Sequence, residues 1–281
     1  MSDGSKIQWT EATWNFVTGC TKISDGCLNC YIERTPAFRI NRRRFDKPGI
    51  GGKTDIILHE DRLTMPLRWR KPRRIFVNSL ADLWHDDVPA EYVARAFAVM
   101  VASPRHTFQL LTKRYARMRS MLTSDAFWSL VSVELGRLWD TDPPVPLRTI
   151  PDWIWVGVSV ESQQWLAPRL SALRDVPAAV RWMSAEPLLG PLDTGNRLDG
   201  IRWVVGGGES GPGARPCDPA WLRSLRDQCA DAGVAYFNKQ MGAVWARAHH
   251  ADSHGGDWDF WPTDLRIRQY PGLRPATAVT S

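Results

Sequence analysis

The feature that most limits what this chain can become is a set of short apolar, β-branched or aromatic runs, at 75–78, 107–111, 153–160, 180–183, 201–205 and 234–238, with amphipathic stretches between them. Runs of that length bounded by polar residues read as buried strands, and alternation with helices makes successive strands parallel. A further strand is expected near 14–17, leading into a cysteine-rich loop. Between the runs, 91–102 places Val93, Phe97, Met100 and Val101 on one helical face, and 165–173 can form a short helix. The stretch 219–232 has Asp218 as N-cap, Pro219 in the first turn, Leu222, Leu225 and Cys229 as an inner stripe, and Gly233 as a stop. Such units predict an α/β fold, a complete or partial (β/α) TIM-like barrel, with an open doubly wound sheet as the alternative. At 281 residues a single domain is expected over 1–281, with an irregular cap from about residue 243.

A parallel barrel gathers its chemistry at the carboxyl ends of its strands. Just past the apolar runs stand Ser79 and Asp82, Thr112 and Lys113, Ser159 and Glu161, Ser184 and Glu186, Glu209 and Ser210, and Lys239 and Gln240. Polar groups at each end suit a shared pocket; ordinary helix caps and surface turns are the plainer reading.

Cys20, Cys27 and Cys30 form C-x6-C-x2-C, three thiols within eleven residues, with Gly19 and Gly26 allowing a tight backbone path. Soft thiolates select zinc, copper(I) or iron–sulfur clusters. A structural zinc is closed by four ligands, and no histidine stands in or near this loop, the nearest in sequence being His59. A [4Fe-4S] cluster on three cysteines leaves one iron open for S-adenosyl-L-methionine, the arrangement radical chemistry requires. A zinc knuckle completed by a distant histidine, or three free buried cysteines, are the alternatives. Cys217 and Cys229 fit a Pro-rich loop and a helix stripe.

The net charge of +6 is uneven: residues 1–75 hold fifteen Lys/Arg against eight Asp/Glu, and the rest is near neutral. The densest runs are Arg42, Arg43 and Arg44, then Arg68, Arg70, Lys71, Arg73 and Arg74. Such blocks neutralise phosphates and steer polyanions, or serve as solvated basic faces. No apolar run is long enough to cross a bilayer and the N-terminal stretch has no apolar signal core, so no membrane association is expected and the chain reads as cytoplasmic.

The motifs Ile7-Gln8-Trp9-Thr10-Glu11, Gly19-Cys20, Asn29-Cys30-Tyr31, Asn78-Ser79-Leu80-Ala81-Asp82, Leu111-Thr112-Lys113-Arg114, Ser184-Ala185-Glu186-Pro187 and Gly207-Gly208-Glu209-Ser210-Gly211 resemble the phage Gp37/Gp68-like (DUF5131) family over nearly the whole chain. The resemblance implies a barrel of the radical S-adenosylmethionine type, more distantly similar to DNA-repair lyases such as spore photoproduct lyase. The first cysteine gap is three residues longer than the commonest radical-enzyme spacing, C-x3-C-x2-C. With a cluster above the first strand, Ser79 and Asp82 are expected near the cofactor's ammonium, Ser159 and Glu161 near its ribose, and Gly207, Gly208 and Glu209 near the adenosyl group or substrate. Lys113, Glu186 and Lys239 are the candidate catalytic groups. The leading expectation is a radical enzyme acting on nucleic acid or a nucleotide-derived substrate with an external electron donor; the alternatives are a zinc- or cluster-containing nucleic-acid-binding protein and a radical enzyme for a small metabolite or peptide.

Overall fold

A computed structural model describes residue 5 and residues 7–147 and 149–272. In chain order the strands are β1 (Ala12–Trp14), β2 (Val17–Thr18), β3 (Ile57–Leu58), β4 (Arg74–Val77), β5 (Thr107–Thr112), β6 (Ile154–Ser159), β7 (Arg181–Ala185), β8 (Trp203–Gly207) and β9 (Ala235–Gln240). The helices are α1 (Pro36–Arg39), α2 (Glu60–Leu63), α3 (Met65–Arg68), α4 (Ala90–Val101), α5 (Tyr115–Leu122), α6 (Asp125–Trp139), α7 (Gln163–Arg174), α8 (Pro219–Asp231) and α9 (Ala243–Ala248). Among the described residues no helix is long and apolar enough to cross a membrane.

Seven strands form one all-parallel sheet in the order β1-β4-β5-β6-β7-β8-β9, and β2 pairs with β3 in a separate antiparallel ribbon. The order never reverses, so right-handed crossovers put the helices that connect successive sheet strands on the same face, and the sheet curls away from them into a half-barrel. The doubly wound alternative, which needs a reversal of strand order, does not apply. The expected strand at 14–17 is two strands, because the chain leaves the sheet after Trp14 and re-forms β2 over its end.

Alternation along each strand separates two cores. Ile154, Val156 and Val158 of β6, with Met183 and Val204, face the helices and meet Phe97, Leu166, Leu170 and Leu225. The opposite face holds a second cluster, Trp9, Phe76, Trp155, Val180, Trp182, Trp203, Val205 and Phe237, none of them helical. Its indoles meet at 5.3 Å (Trp9–Trp182), 5.1 Å (Trp182–Trp203) and 5.6 Å (Trp155–Trp203). Gly157 is required here, since a Cβ would lie 2.4 Å from the Trp182 ring.

The concave face changes character along the strands. In β6 it reads Trp155, Gly157, Ser159; in β7 and just beyond, Trp182, Ser184, Glu186; in β8, Trp203, Val205, Gly207; in β9, Ala235, Phe237, Lys239; and from β5, Gln109, Leu111, Lys113. Aromatic rings fill the amino-terminal end and polar groups line the carboxyl end. At the seam between β9 and β1 the cap is more ordered than its sequence suggests: Arg268 bridges Phe237 antiparallel, Tyr270 stacks on Trp203 at 5.5 Å, and Arg74 lies over the Tyr270 ring at 4.1 Å.

Candidate functional site

The cysteines lie on the long connection between β1 and β4, and therefore at the carboxyl end of the sheet. Two asparagines fix how that connection starts. Asn78, held at φ +56°, accepts through Oδ1 from the Phe16 and Val17 amides, while Asn15 Oδ1 accepts from Ser79 Oγ and the Leu80 amide. Gly19 then pairs with Ala81 at φ +112°, where a Cβ would sit 2.0 Å from the Asp55 carbonyl oxygen, so only glycine fits. Cys20 exchanges hydrogen bonds with Thr54: its amide donates to Oγ1 at 3.0 Å, and its carbonyl accepts from the Thr54 amide at 2.9 Å. Cys27 and Cys30 follow on tight turns, the Cys27 amide donating to Ser24 and the Cys30 amide to Cys27.

All three cysteines are half-buried free thiols. Burial, followed by the nearby Asp82 carboxylate, pushes Cys20 up to about 12, with Cys27 and Cys30 adding to the rise and Arg114 opposing it. Burial likewise raises Cys30, and Cys27 adds to it. Cys20 therefore feels the charge of both other sulfurs and Cys30 that of Cys27, and ionising them calls for a cation to replace the protons. Among the described residues no group of three or more His, Cys, Asp or Glu side chains, the three cysteines included, stands close enough to hold a metal ion. Cys217 and Cys229 are buried elsewhere, in a loop and in the inner stripe of α8. Thiolates are the soft donors that zinc, copper(I) and iron–sulfur groups take.

Five sequence-predicted residues share the polar layer facing this loop: Lys113, Ser159, Glu186, Gly207 and Lys239. Lys113 Nζ donates to Ser159 Oγ at 2.9 Å, and Lys239 pairs with Glu186, each 16% exposed. Burial pulls the Lys113 ammonium down, but the negative charge of Cys27, Glu161 and Cys30 more than reverses this, so its pKa lies above the usual lysine value. Tyr31, adjoining Cys30, reaches over the layer to donate to the Ser79 carbonyl.

The other predicted residues hold loops. Asp82 accepts from Thr112 Oγ1 (2.7 Å), the Lys113 amide (3.1 Å) and the Trp84 amide (3.1 Å). Glu161 is fully buried and paired with Arg169 at 2.6 Å; the Gly26 backbone packs on its side chain, 3.1 Å from where a Cβ would stand. Burial raises the Glu161 carboxyl, and Lys113 and Arg169 outweigh it to leave the pKa below the ordinary value. Glu209 takes two bonds from the Arg215 side chain and one from its amide, plus Asn29 Nδ2 at 2.9 Å, while Arg215 also reaches the Asp25 carbonyl at 3.0 Å. Glu209 thus clips the turn between Cys27 and Cys30 to the end of β8. Gly208 has no room for a side chain, a Cβ there lying 2.4 Å from the Met241 carbonyl oxygen.

Sequence reasoning missed Arg169, Arg215, Asn29, Asn15 and His85, whose Nε2 meets Thr21 Oγ1 at 2.8 Å. Only Asn29 carried a signal, its place between two cysteines. The basic runs separate in space. Arg42 and Arg44 are exposed on the cysteine side, and Arg43 is spent on Thr18 and Asp55 with its guanidinium over Phe38. Arg70, Lys71, Arg73 and Arg74 lie at the amino-terminal end of β4, the far end of the half-barrel.

Fold and site together define a class: a parallel (β/α) half-barrel with a three-cysteine loop above the carboxyl ends of its strands. Residues 4–262 match the family described as protein of unknown function (DUF5131), and the chain belongs to that family. No curated protein matches it. Among solved structures it is similar to a spore photoproduct lyase complexed with dinucleoside spore photoproduct, at 14% identity and a TM-score of 0.46, over 81% of this chain and 63% of that one.

Proposed function

We propose that this protein is a radical S-adenosyl-L-methionine enzyme in which Cys20, Cys27 and Cys30 hold a [4Fe-4S] cluster, acting on nucleic acid or a nucleotide-derived substrate and reduced by an external electron donor. The observation that carries the reading is the placement of three thiols on one loop above the polar layer at the carboxyl end of the half-barrel. When bound, such a group supplies reductive cleavage of S-adenosyl-L-methionine to a 5′-deoxyadenosyl radical. The chain's own part is to position and to exclude water. In this reading Ser159 and Gly207 stay close to the adenosyl cofactor, and Lys113, Glu186 and Lys239 face the substrate. Ser79 stands near the cofactor ammonium. Asp82, Glu161, Gly208 and Glu209, whose oxygens or backbone are taken up within the protein, are assigned to holding the loops. Arg42 and Arg44 offer a polyanion two exposed charges on the cysteine side.

Anaerobic reconstitution tests the proposal. The expected product is a brown protein with about four irons, whose reduced paramagnetic signal shifts on adding S-adenosyl-L-methionine and which loses iron uptake when Cys20, Cys27 or Cys30 is replaced by alanine. A colourless protein carrying one zinc, or a signal indifferent to the ligand, would overturn it.

A further inference from the structure

Lys22 is a buried cation without an anion. Its side chain is 6% exposed, its Nζ donates to the Leu28 carbonyl at 3.2 Å, and its ammonium lies 4.3 Å from the centre of the Phe45 ring. Among the described residues no carboxylate stands within ion-pair distance of it. The placement is built in: the Lys22 amide donates to Gly52 at 2.8 Å, its carbonyl accepts from Gly51 at 2.7 Å, and Phe45 is held through its amide by Glu33. A carbonyl and a ring offset part of the cost of burying an ammonium, and an opposite charge offsets the rest. Leu28 lies between Cys27 and Cys30, so the cation sits inside the turn that carries two of the three sulfurs.

We infer that Lys22 is the fixed counter-charge of the thiolate-held centre, a positioning residue that eases addition of one electron from a low-potential donor. The inference rests on the function proposed above. A cluster on three thiolates is anionic when oxidised and gains one further negative charge on reduction. A cation at constant distance favours the reduced form more, which raises the reduction potential. Lys113, one residue past β5, lies in the polar layer below the cysteine loop and shares the task.

Redox titration of the reconstituted full chain, read by absorbance and by the paramagnetic signal, distinguishes charge from shape. Lys22→Met and Lys22→Gln should each lower the ratio of reduced to oxidised cluster at fixed potential about tenfold, a downward shift of about 59 mV for one electron. Lys22→Arg should stay within about twofold. If Lys22→Gln, which keeps a donor for the Leu28 carbonyl, behaves as wild type, the lysine is only a cap and the inference falls; it falls equally if all three variants match wild type. Cobalt(II) titration of the same proteins separates the two claims. Should wild type bind cobalt on its thiols and yet assemble no four-iron cluster, the proposed function fails. Lys22 is then judged by whether Met and Gln, but not Arg, weaken cobalt binding about tenfold.

Discussion

Glu161 and Arg169 form an ion pair whose side chains are 0% and 1% exposed, and its value lies in what happens when one partner goes. Replacing Arg169 with methionine leaves a buried carboxylate unpaired, which costs about 3–5 kcal/mol; urea denaturation should show this, and Glu161→Gln in the same chain should restore much of it. The pair also fixes a pH dependence. The folded Glu161 pKa lies below its ordinary value near 4.5, so its contribution is complete above that pH and is lost as pH falls through the lower folded value. Arg169→Met should flatten that acid limb, and an unchanged limb would remove the pair from the acid sensitivity. None of this was legible in the sequence. Arg169 stands on the inner face of α7 where an apolar residue is usual, and its partner is eight residues away at a strand end. The cysteine spacing, by contrast, can be read directly because all three residues stand on one contiguous loop.

At the scale of elements, the β8–α8 connection is a clip on the cysteine loop rather than a passive turn. Glu209→Gln removes the charge from the hydrogen bonds to Arg215, each of the charge-assisted kind. It should destabilise the chain by about 2 kcal/mol and speed hydrogen exchange at residues 25–30, together with iron loss to a chelator. Exchange confined to its wild-type rate would mean the loop holds itself. The six main strands and helices α4, α7 and α8 were visible in sequence because each buries one regular face. α5 was not, since it is only eight residues long and fully buries just Met118 and Leu122. α6 was not either: Ser124 caps it by accepting from the Phe127 amide, but its mix of Trp, Val and Leu masks the period. The basic runs could not be placed from sequence for another reason: charge along a sequence does not tell which end of a strand it will occupy.

For the whole molecule, the two ends of the half-barrel divide the labour. Phosphate contacts add to the salt dependence of binding one by one, so under the proposed function Arg42→Ala and Arg44→Ala should each weaken oligonucleotide binding and reduce the salt slope by about 1. Arg70→Ala and Lys71→Ala, at the far end, should leave both unchanged in a filter or anisotropy titration; equal effects from both pairs would mean a diffuse attraction instead. The aromatic floor has a last consequence. Trp9, Trp182, Trp203 and Phe237 are at most 2% exposed and Tyr270 closes the seam beside them, so the vessel has a sealed base. Under the proposed function, substrate comes to the polar layer from the cysteine-loop side, and a spent product still seated there competes directly with the next arrival.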